Sequence, residues 1–323
     1  MVRSSDIENT YDEGEGVTLS YGGAPNIKYF DGKFLNAGNR TARSNDEGAL
    51  SNRFLYWILK HDEALIDRYY RGSGLRHVDL RKMLDHEIPL PPLEIQRQIV
   101  AILDAHSELA ELQAERVKLL KLEKDVLLER IFSPAGGFKF SIGGKEFDTS
   151  GWDSHPLGDS FTWENPGTAL VLSSNYDPAY QTPVLTANKS FILGYTDESE
   201  GIYSASAKNP VVIFDDFTTD CKWVTFPFKV KSGAMKFLRA TDESRFDFFF
   251  SYLALKMNPF TPSTHQRHRV TVFAQIMRFP SLEDQQVISS YFRELDNRIE
   301  LEEERLQLLK TQSAVVLESI FDR

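Results

Sequence analysis

Apolar residues fall on a heptad rhythm in two separate stretches of this chain. In residues 91–132 the seam runs Ile99, Leu103, Ala110, Val117, Leu120, Leu127 and Ile131. In residues 280–323 it runs Ile288, Phe292, Leu295, Ile299, Leu306, Leu309, Val316 and Ile320. Such spacing lays one apolar stripe along a helix and predicts a coiled-coil seam. Neither stretch contains Gly, nor Pro after Pro92 and Pro280, so nothing breaks the first helix before Ser133-Pro134. A Pro at the start suits the first helical turn, where its missing N–H is not needed. At 1.5 Å per residue each helix is roughly 60 Å long. The simplest way to cover both stripes is antiparallel packing of the two helices on each other, with a domain at either end. Pairing with helices of another subunit is the alternative. His106, Gln113 and Lys124 interrupt the first seam, and Glu302 and Ser313 the second. These are either tolerated by loose packing or serve to fix register, as one buried polar group can.

The two stretches are also one text written twice. Residues 91–132 align with 280–321 without a gap, and 17 of 42 pairs are identical. Pro-x-Leu-Glu-x-Gln opens both copies, as Pro91 to Gln96 and Pro280 to Gln285, and Ile131-Phe132 matches Ile320-Phe321. Upstream, Phe54-Leu-Tyr-Trp-Ile-Leu-Lys60 resembles Phe250-Ser-Tyr-Leu-Ala-Leu-Lys256. The order is therefore domain, helix, domain, helix.

Between the helices the period changes. Pro183–Thr186, Ser190–Gly194, Pro210–Phe214 and Trp223–Val230 are short runs of β-branched and aromatic residues, separated by Asn, Asp, Gly and Pro. Phe246 to Lys256 reads as a helix. Residues 151–279 thus form an α+β module. Residues 16–90 resemble only its second half: Gly16–Ser20 is like the strand at 210–214, and Lys33–Leu35 like the strand after Trp223. Residues 1–15 read as an acidic tail and 133–150 as a linker.

Composition is that of an ordinary globular protein, 41% hydrophobic and 26% charged. No apolar run approaches the ~20 residues of a membrane helix, and the first residues lack the apolar core of a signal peptide. Cys221 is the single cysteine, which excludes an intramolecular disulfide and argues against a cysteine zinc site. A cytoplasmic location is expected. The net charge of −10 argues against unspecific nucleic-acid binding, but the acid is concentrated in the first 15 residues and the second helix. Lys222, Lys229, Lys231, Lys236 and Arg239 lie in a stretch without acids, as do Arg267 and Arg269.

Pro89-Leu-Pro-Pro-Leu-Glu-x-Gln-x-x-Ile99, opening a long helix and returning after a module, resembles the specificity subunit of Type I restriction-modification systems. The text Pro183 to Thr196, Val211 to Thr218 and Lys222-Trp223 resembles a target recognition domain of that family. The resemblance covers nearly everything from residue 16. It implies a non-catalytic reader of double-stranded DNA, with two recognition domains that each read half of a split target. The two helices would pack antiparallel, set the spacer between the half-sites and dock modification (adenine methyltransferase) subunits. Those partners would bind S-adenosylmethionine, leaving this chain without a cofactor, and restriction subunits could join. The short first module departs from the family pattern: either the subunit is naturally shortened and pairs with a second copy or another half-subunit, or the gene is degenerate. A different class of reading is a truncated interaction protein that binds modification subunits or a second copy without DNA specificity of its own.

Candidate chemistry follows the same lines. Asp177-Pro-Ala-Tyr180 is close to the Asp-Pro-Pro-Tyr loop of adenine methyltransferases but lacks its second Pro, and no Gly-rich cofactor loop accompanies it. Asp215, Asp216 and Asp220 read as a solvated turn rather than a metal site. For DNA contact the candidates are His265, Gln266, Arg267, His268 and Arg269, placed before the second helix, and Arg76 and His77, placed similarly before the first. Arg matches guanine bidentately and Gln adenine, and both can hold phosphate. Lys222, Lys229, Lys231, Lys236 and Arg239 are candidate phosphate contacts, with Lys189 and Tyr195 as weaker ones. Trp152 and Trp223 read as core.

Overall fold

Two uninterrupted helices, Leu93–Ile131 and Leu282–Phe321, begin two residues after Pro91 and Pro280. The computed structural model describes residues 11–35, 40–187, 190–263 and 266–321. The fold is α+β, and it divides into two compact units. One holds the chain up to Lys118 and from Glu300 onward; the other is Leu119–Ile299. Each long helix contributes to both. Among the described residues no helix is long and apolar enough to cross a membrane.

In the first unit a three-stranded antiparallel sheet runs in the order Lys28–Phe30, Gly16–Leu19, Arg40–Ala42. Its central strand is buried along its whole length, with Val17 and Leu19 against Leu55 and Leu59 of helix Asn52–His61. Tyr11–Glu13, in the stretch expected as an acidic tail, pairs with Lys33–Leu35.

The second unit centres on a four-stranded antiparallel sheet, ordered Phe161–Glu164, Met235–Ala240, Val211–Asp215, Cys221–Val224. Alternate side chains of a strand point to opposite faces. Val212, Phe214 and Leu238 accordingly enter a core with helix Phe248–Lys256 and the long helices, while Val211, Ile213 and Phe237 enter a second core with Leu185 and Val230. Leu185 and Val230 come from a smaller sheet, ordered Ile192–Thr196, Thr182–Leu185, Lys229–Val230, whose last pair is parallel. Residues 133–150, expected as a linker, hold the hairpin Lys139–Ile142 and Lys145–Asp148, with Phe140, Ile142 and Phe147 in the first of these cores.

The repeated phrase has a structural job in each unit. Gln285 is 1% exposed: its Oε1 accepts from the Asp247 N–H at 2.9 Å, and its Nε2 donates to the carbonyls of Arg245 (3.0 Å) and Pro280 (2.9 Å). Gln96 is fully buried and does the same, accepting from the Ser51 N–H (3.0 Å) and donating to the carbonyls of Ala49 (2.7 Å) and Pro91 (2.8 Å). Ser51 and Asp247 are the N-caps of the two module helices, receiving the N–H of Phe54 and of Phe250. Each Gln therefore joins the first turn of a long helix to the first turn of a module helix, satisfying three backbone groups at once.

A second contact completes each grip. Phe54 packs against Phe321, centroids 5.8 Å apart, at the far end of the second long helix. Phe250 packs against Phe132, 5.1 Å apart, just past the end of the first. Each module helix thus touches the beginning of one long helix and the end of the other, so the two run antiparallel. Between them, in the first unit, Gln113 donates to the backbone O (2.9 Å) and Oε2 (2.7 Å) of Glu302, and Arg116 pairs with Glu302 at 2.6 Å. In the second unit Lys124 pairs with Asp296. Five residues that break the seams or flank them are thereby matched to each other across the helix pair. The apolar seam closes fully in the second unit, where Leu120, Leu128, Ile131, Ile288, Phe292, Leu295 and Ile299 are buried and Leu127 packs at the edge. In the first unit Leu103 and Val117 are buried, but Ile99, Leu306, Leu309 and Val316 are only half-covered.

Candidate nucleic-acid interface

The basic run before the second long helix is anchored through its backbone. Asp216, at the start of the turn after strand 211–215, is 2% exposed; its carbonyl accepts from the His268 N–H and its Oδ1 from the Arg269 N–H, both at 2.7 Å. The turn is itself braced, because Asp215 Oδ1 accepts from the N–H groups of Phe217 (2.8 Å) and Thr218 (3.0 Å). Thr219 sits at φ 63°, a left-handed conformation uncommon for a β-branched residue. Asp215 thus closes the strand and Asp216 opens the turn, buried rather than solvated as expected, and among the described residues no group of three or more His, Cys, Asp or Glu could hold a metal.

Pinned this way, the run presents its residues unequally. Gln266 and Arg267 are exposed, whereas His268 is 3% exposed, its ring 5.1 Å from Phe260. Arg269 lays its guanidinium 3.5 Å from the ring centre of Trp163, on the edge strand 161–164. Its Nε is buried with no hydrogen-bond partner among the described residues. Lys236 lies beside them, donating to Asn165 Oδ1 at 2.9 Å. Burial pushes its ammonium pKa down; Asp216 opposes the shift, and Arg267 and Arg269 add to it. Three cations therefore share this corner with two carboxylates, buried Asp216 and half-buried Asp215, which leaves one positive charge in excess. His265 lies outside the described residues, as does Lys189.

Other candidates are placed differently. Lys229 is 2% exposed and held by Glu198 (3.0 Å) and the carbonyls of Glu200 (2.7 Å) and Thr168 (3.3 Å). Lys229 and Lys236 are thus interior residues rather than surface phosphate contacts. The physical reason is that strands 229–230 and 235–240 are covered on both faces, so alternation leaves no solvent side. Arg239 is tied to Asn209 (2.5 Å) and Tyr203 (3.2 Å). Lys231 is exposed and donates to Ser174, with Tyr176 5.7 Å away, while Lys222 is half-buried. Tyr195 lines a cavity of about 520 Å³ with Pro183, Ile192, Ile202 and Phe226. Trp152 and Trp223 pack at the edge of the main core.

In the first unit Arg76 forms a two-pronged pair with Asp67 (2.6 and 3.1 Å), and this hydrogen bonding holds the Asp67 carboxyl below its usual range. His77 is exposed, its ring 5.0 Å from Tyr21, over which Arg40 stacks at 4.7 Å. The two basic runs are thus not equivalent: Arg76 is engaged by a carboxylate, and Arg269 by an indole face. Trp163 was not among the residues singled out from sequence. It lies 106 positions from Arg269 in the chain and no spacing rule links them. Gln96 and Gln285 did carry a signal, since each is retained in the repeated phrase.

Three comparisons bear on this arrangement. The model of the Type I restriction modification DNA specificity domain family matches residues 5–122 and 149–311. Among curated relatives, the EcoR124I/EcoR124II Type I restriction enzyme specificity subunit of Escherichia coli is 46% identical over 122 residues, which are 37% of this chain and 30% of that protein. The MjaVIII specificity subunit of Methanocaldococcus jannaschii is 30% identical over 84 residues, 26% of this chain and 20% of that protein. The aligned stretches thus span less than a third of these relatives' lengths. Among solved structures, the S subunit of a Type I restriction-modification system from M. genitalium superposes with a TM-score of 0.63 at 15% identity, covering 96% of this chain and 84% of that one. A chain from a study of complex assembly and conformational transition of the Type I system gives 0.52 at 20% identity, covering 95% and 81%. At these identities the superpositions speak for the fold. The family match, by contrast, takes in each module together with most of the helix that follows it, and on that ground this chain belongs to the Type I restriction modification DNA specificity domain family.

Proposed function

We propose that this chain is the non-catalytic, DNA-reading subunit of a Type I restriction-modification methyltransferase complex. The observation that carries the reading is the doubled grip: two modules, each fixed by a buried Gln and a Phe to the same antiparallel helix pair. Such a frame suits reading two half-sites at a fixed spacing, with the helix pair as the ruler. Phosphate contacts would come from exposed Arg267 and Lys231, and base contacts from Gln266 and Arg269.

Modification subunits, which would hold S-adenosylmethionine, dock on the outer faces of the helices. Leu301, Leu308 and Val315 recur every seven residues and are 57–65% exposed, as Ile95, Ile102 and Leu109 are on the first helix at 43–53%. Exposed apolar residues recurring at heptad spacing suit a surface that a partner covers. Restriction subunits join through the same assembly. A second reading concerns residues 16–90 alone: with Arg76 engaged by Asp67 and the seam half-open, this module reads DNA only once a second copy or half-subunit completes it.

The test is a map of methylated adenines in cells co-expressing the chain with its modification subunit. A split asymmetric motif is expected if both modules read DNA, and a split palindrome if two chains pair and 151–279 reads both halves. A stable complex that yields no motif would leave only an interaction protein that occupies modification subunits.

A further inference from the structure

Arg269 differs from the other arginines of the candidate set in what holds it. Arg76 and Arg239 are engaged by hydrogen-bond acceptors, a carboxylate in one case and an amide and a phenol in the other. Arg269 is instead supported from below by the Trp163 ring at 3.5 Å, while its backbone is fixed by Asp216. Stacking on an indole is worth about 0.5–2 kcal/mol and consumes none of the planar edge that a guanidinium uses for paired acceptors. The Arg269 Nε is buried, so a paired contact with a ligand would use the two terminal guanidinium nitrogens. Trp163 is 43% exposed, so the stacked pair stands at the surface of its unit. Arg267, close enough to add to the Lys236 pKa shift, stands here with buried Lys236 and with Asp215 and Asp216, and the balance of charge favours an electron-rich ligand edge.

We infer that Arg269 reads the paired acceptor edge (O6 and N7) of one guanine in the half-site of the 151–279 module, and that Trp163 is the residue that positions it. This rests on the reading of the chain as a DNA-specificity subunit and says which side chain sets one base of the target. A phosphate offers similar acceptors, but a phosphate contact tolerates a mobile side chain, whereas reading a base needs fixed geometry. A stacked guanidinium on a pinned backbone meets the second requirement.

The experiment uses the full chain in complex with its modification subunit and a set of duplexes carrying every single-base change in the mapped motif. Binding and adenine methylation are measured over a salt series for wild type, Arg269→Ala, Arg269→Lys, Trp163→Ala, Trp163→Phe and Arg267→Ala. Arg269→Ala and Arg269→Lys are expected to relax preference at one G·C pair by about 5- to 150-fold and to leave the other positions intact. Trp163→Ala should relax the same position more weakly, and Trp163→Phe should restore much of it. Arg267→Ala should weaken all duplexes alike and lower the salt slope by about one. If Arg269→Ala behaves as Arg267→Ala does, Arg269 is a phosphate contact and the inference falls. It falls equally if both Arg269 variants keep the wild-type motif. A wild-type complex without sequence selectivity would overturn the underlying reading instead, before any variant is compared. Unchanged melting temperature and unchanged binding of the modification subunit separate these outcomes from misfolding.

Discussion

The two units fix their modules to the helices in the same way and differ in what the modules cover. In both, a buried Gln bridges N-cap to long helix and a Phe closes the far side. In the second unit Phe132 is 6% exposed and the seam residues around it are shut into one core. In the first, Phe321 and the seam residues Leu306, Leu309 and Val316 are half-covered. The grip is therefore independent of module size, whereas burial of the helix pair depends on it. Attachment and recognition are separable properties of this fold.

That separation can be broken at several points. The largest effect is expected from Phe250→Ala and Phe54→Ala, each removing a fully buried ring at about 3–5 kcal/mol. Hydrogen exchange resolved by unit should show each loss confined to its own unit; a loss spread evenly over both would contradict independent grips. Phe132→Ala should then cost more than Phe321→Ala, in line with their burial. Gln285→Leu and Gln96→Leu should each destabilise by about 1–3 kcal/mol, because three part-buried to buried backbone groups lose their partner. Equality of the two values in denaturant melts would sharpen the equivalence. Gln113→Leu alone should cost about 1–3 kcal/mol by stripping buried Glu302 of a donor, while the double change with Glu302→Leu should be close to neutral. A double variant as unstable as the single one would mean that the pair is not the coupled unit described. The smallest effect is a silence. Cys221 has its thiol pKa pushed up to about 12 by burial, so at pH 8 only about one part in ten thousand is thiolate. It should resist alkylation until the second unit opens, and Phe250→Ala but not Phe54→Ala should speed its labelling.

The helices, their pairing and the repeat were legible because heptad spacing and a gapless internal alignment are local signals. Strands 182–185, 192–196, 211–215 and 221–224 were legible from β-branched runs, whereas Phe161–Glu164 and Met235–Ala240 of the main sheet were not, and helix Phe248–Lys256 starts two residues inside its expected bound. What was not legible depends on which elements meet. Lys229 and Lys236 stand in acid-free text that reads as surface, yet their strands lie under cover on both faces. Arg76 and Arg269 sit at similar places before similar helices, and only the fold gives one a carboxylate and the other an indole. Gln96 and Gln285 could be seen as a repeat but not understood, since two of each one's three backbone partners lie 45–47 and 38–40 positions away.

The most direct measurement is a methylation map of cells expressing the modification subunit with a chain whose residues 151–279 are exchanged for the corresponding module of another family member, leaving both long helices and both Gln residues in place. The expected result is a motif altered in the half read by that module, with the spacer between the half-sites unchanged. An unaltered motif from a stable, active complex would contradict the assignment of DNA reading to this module.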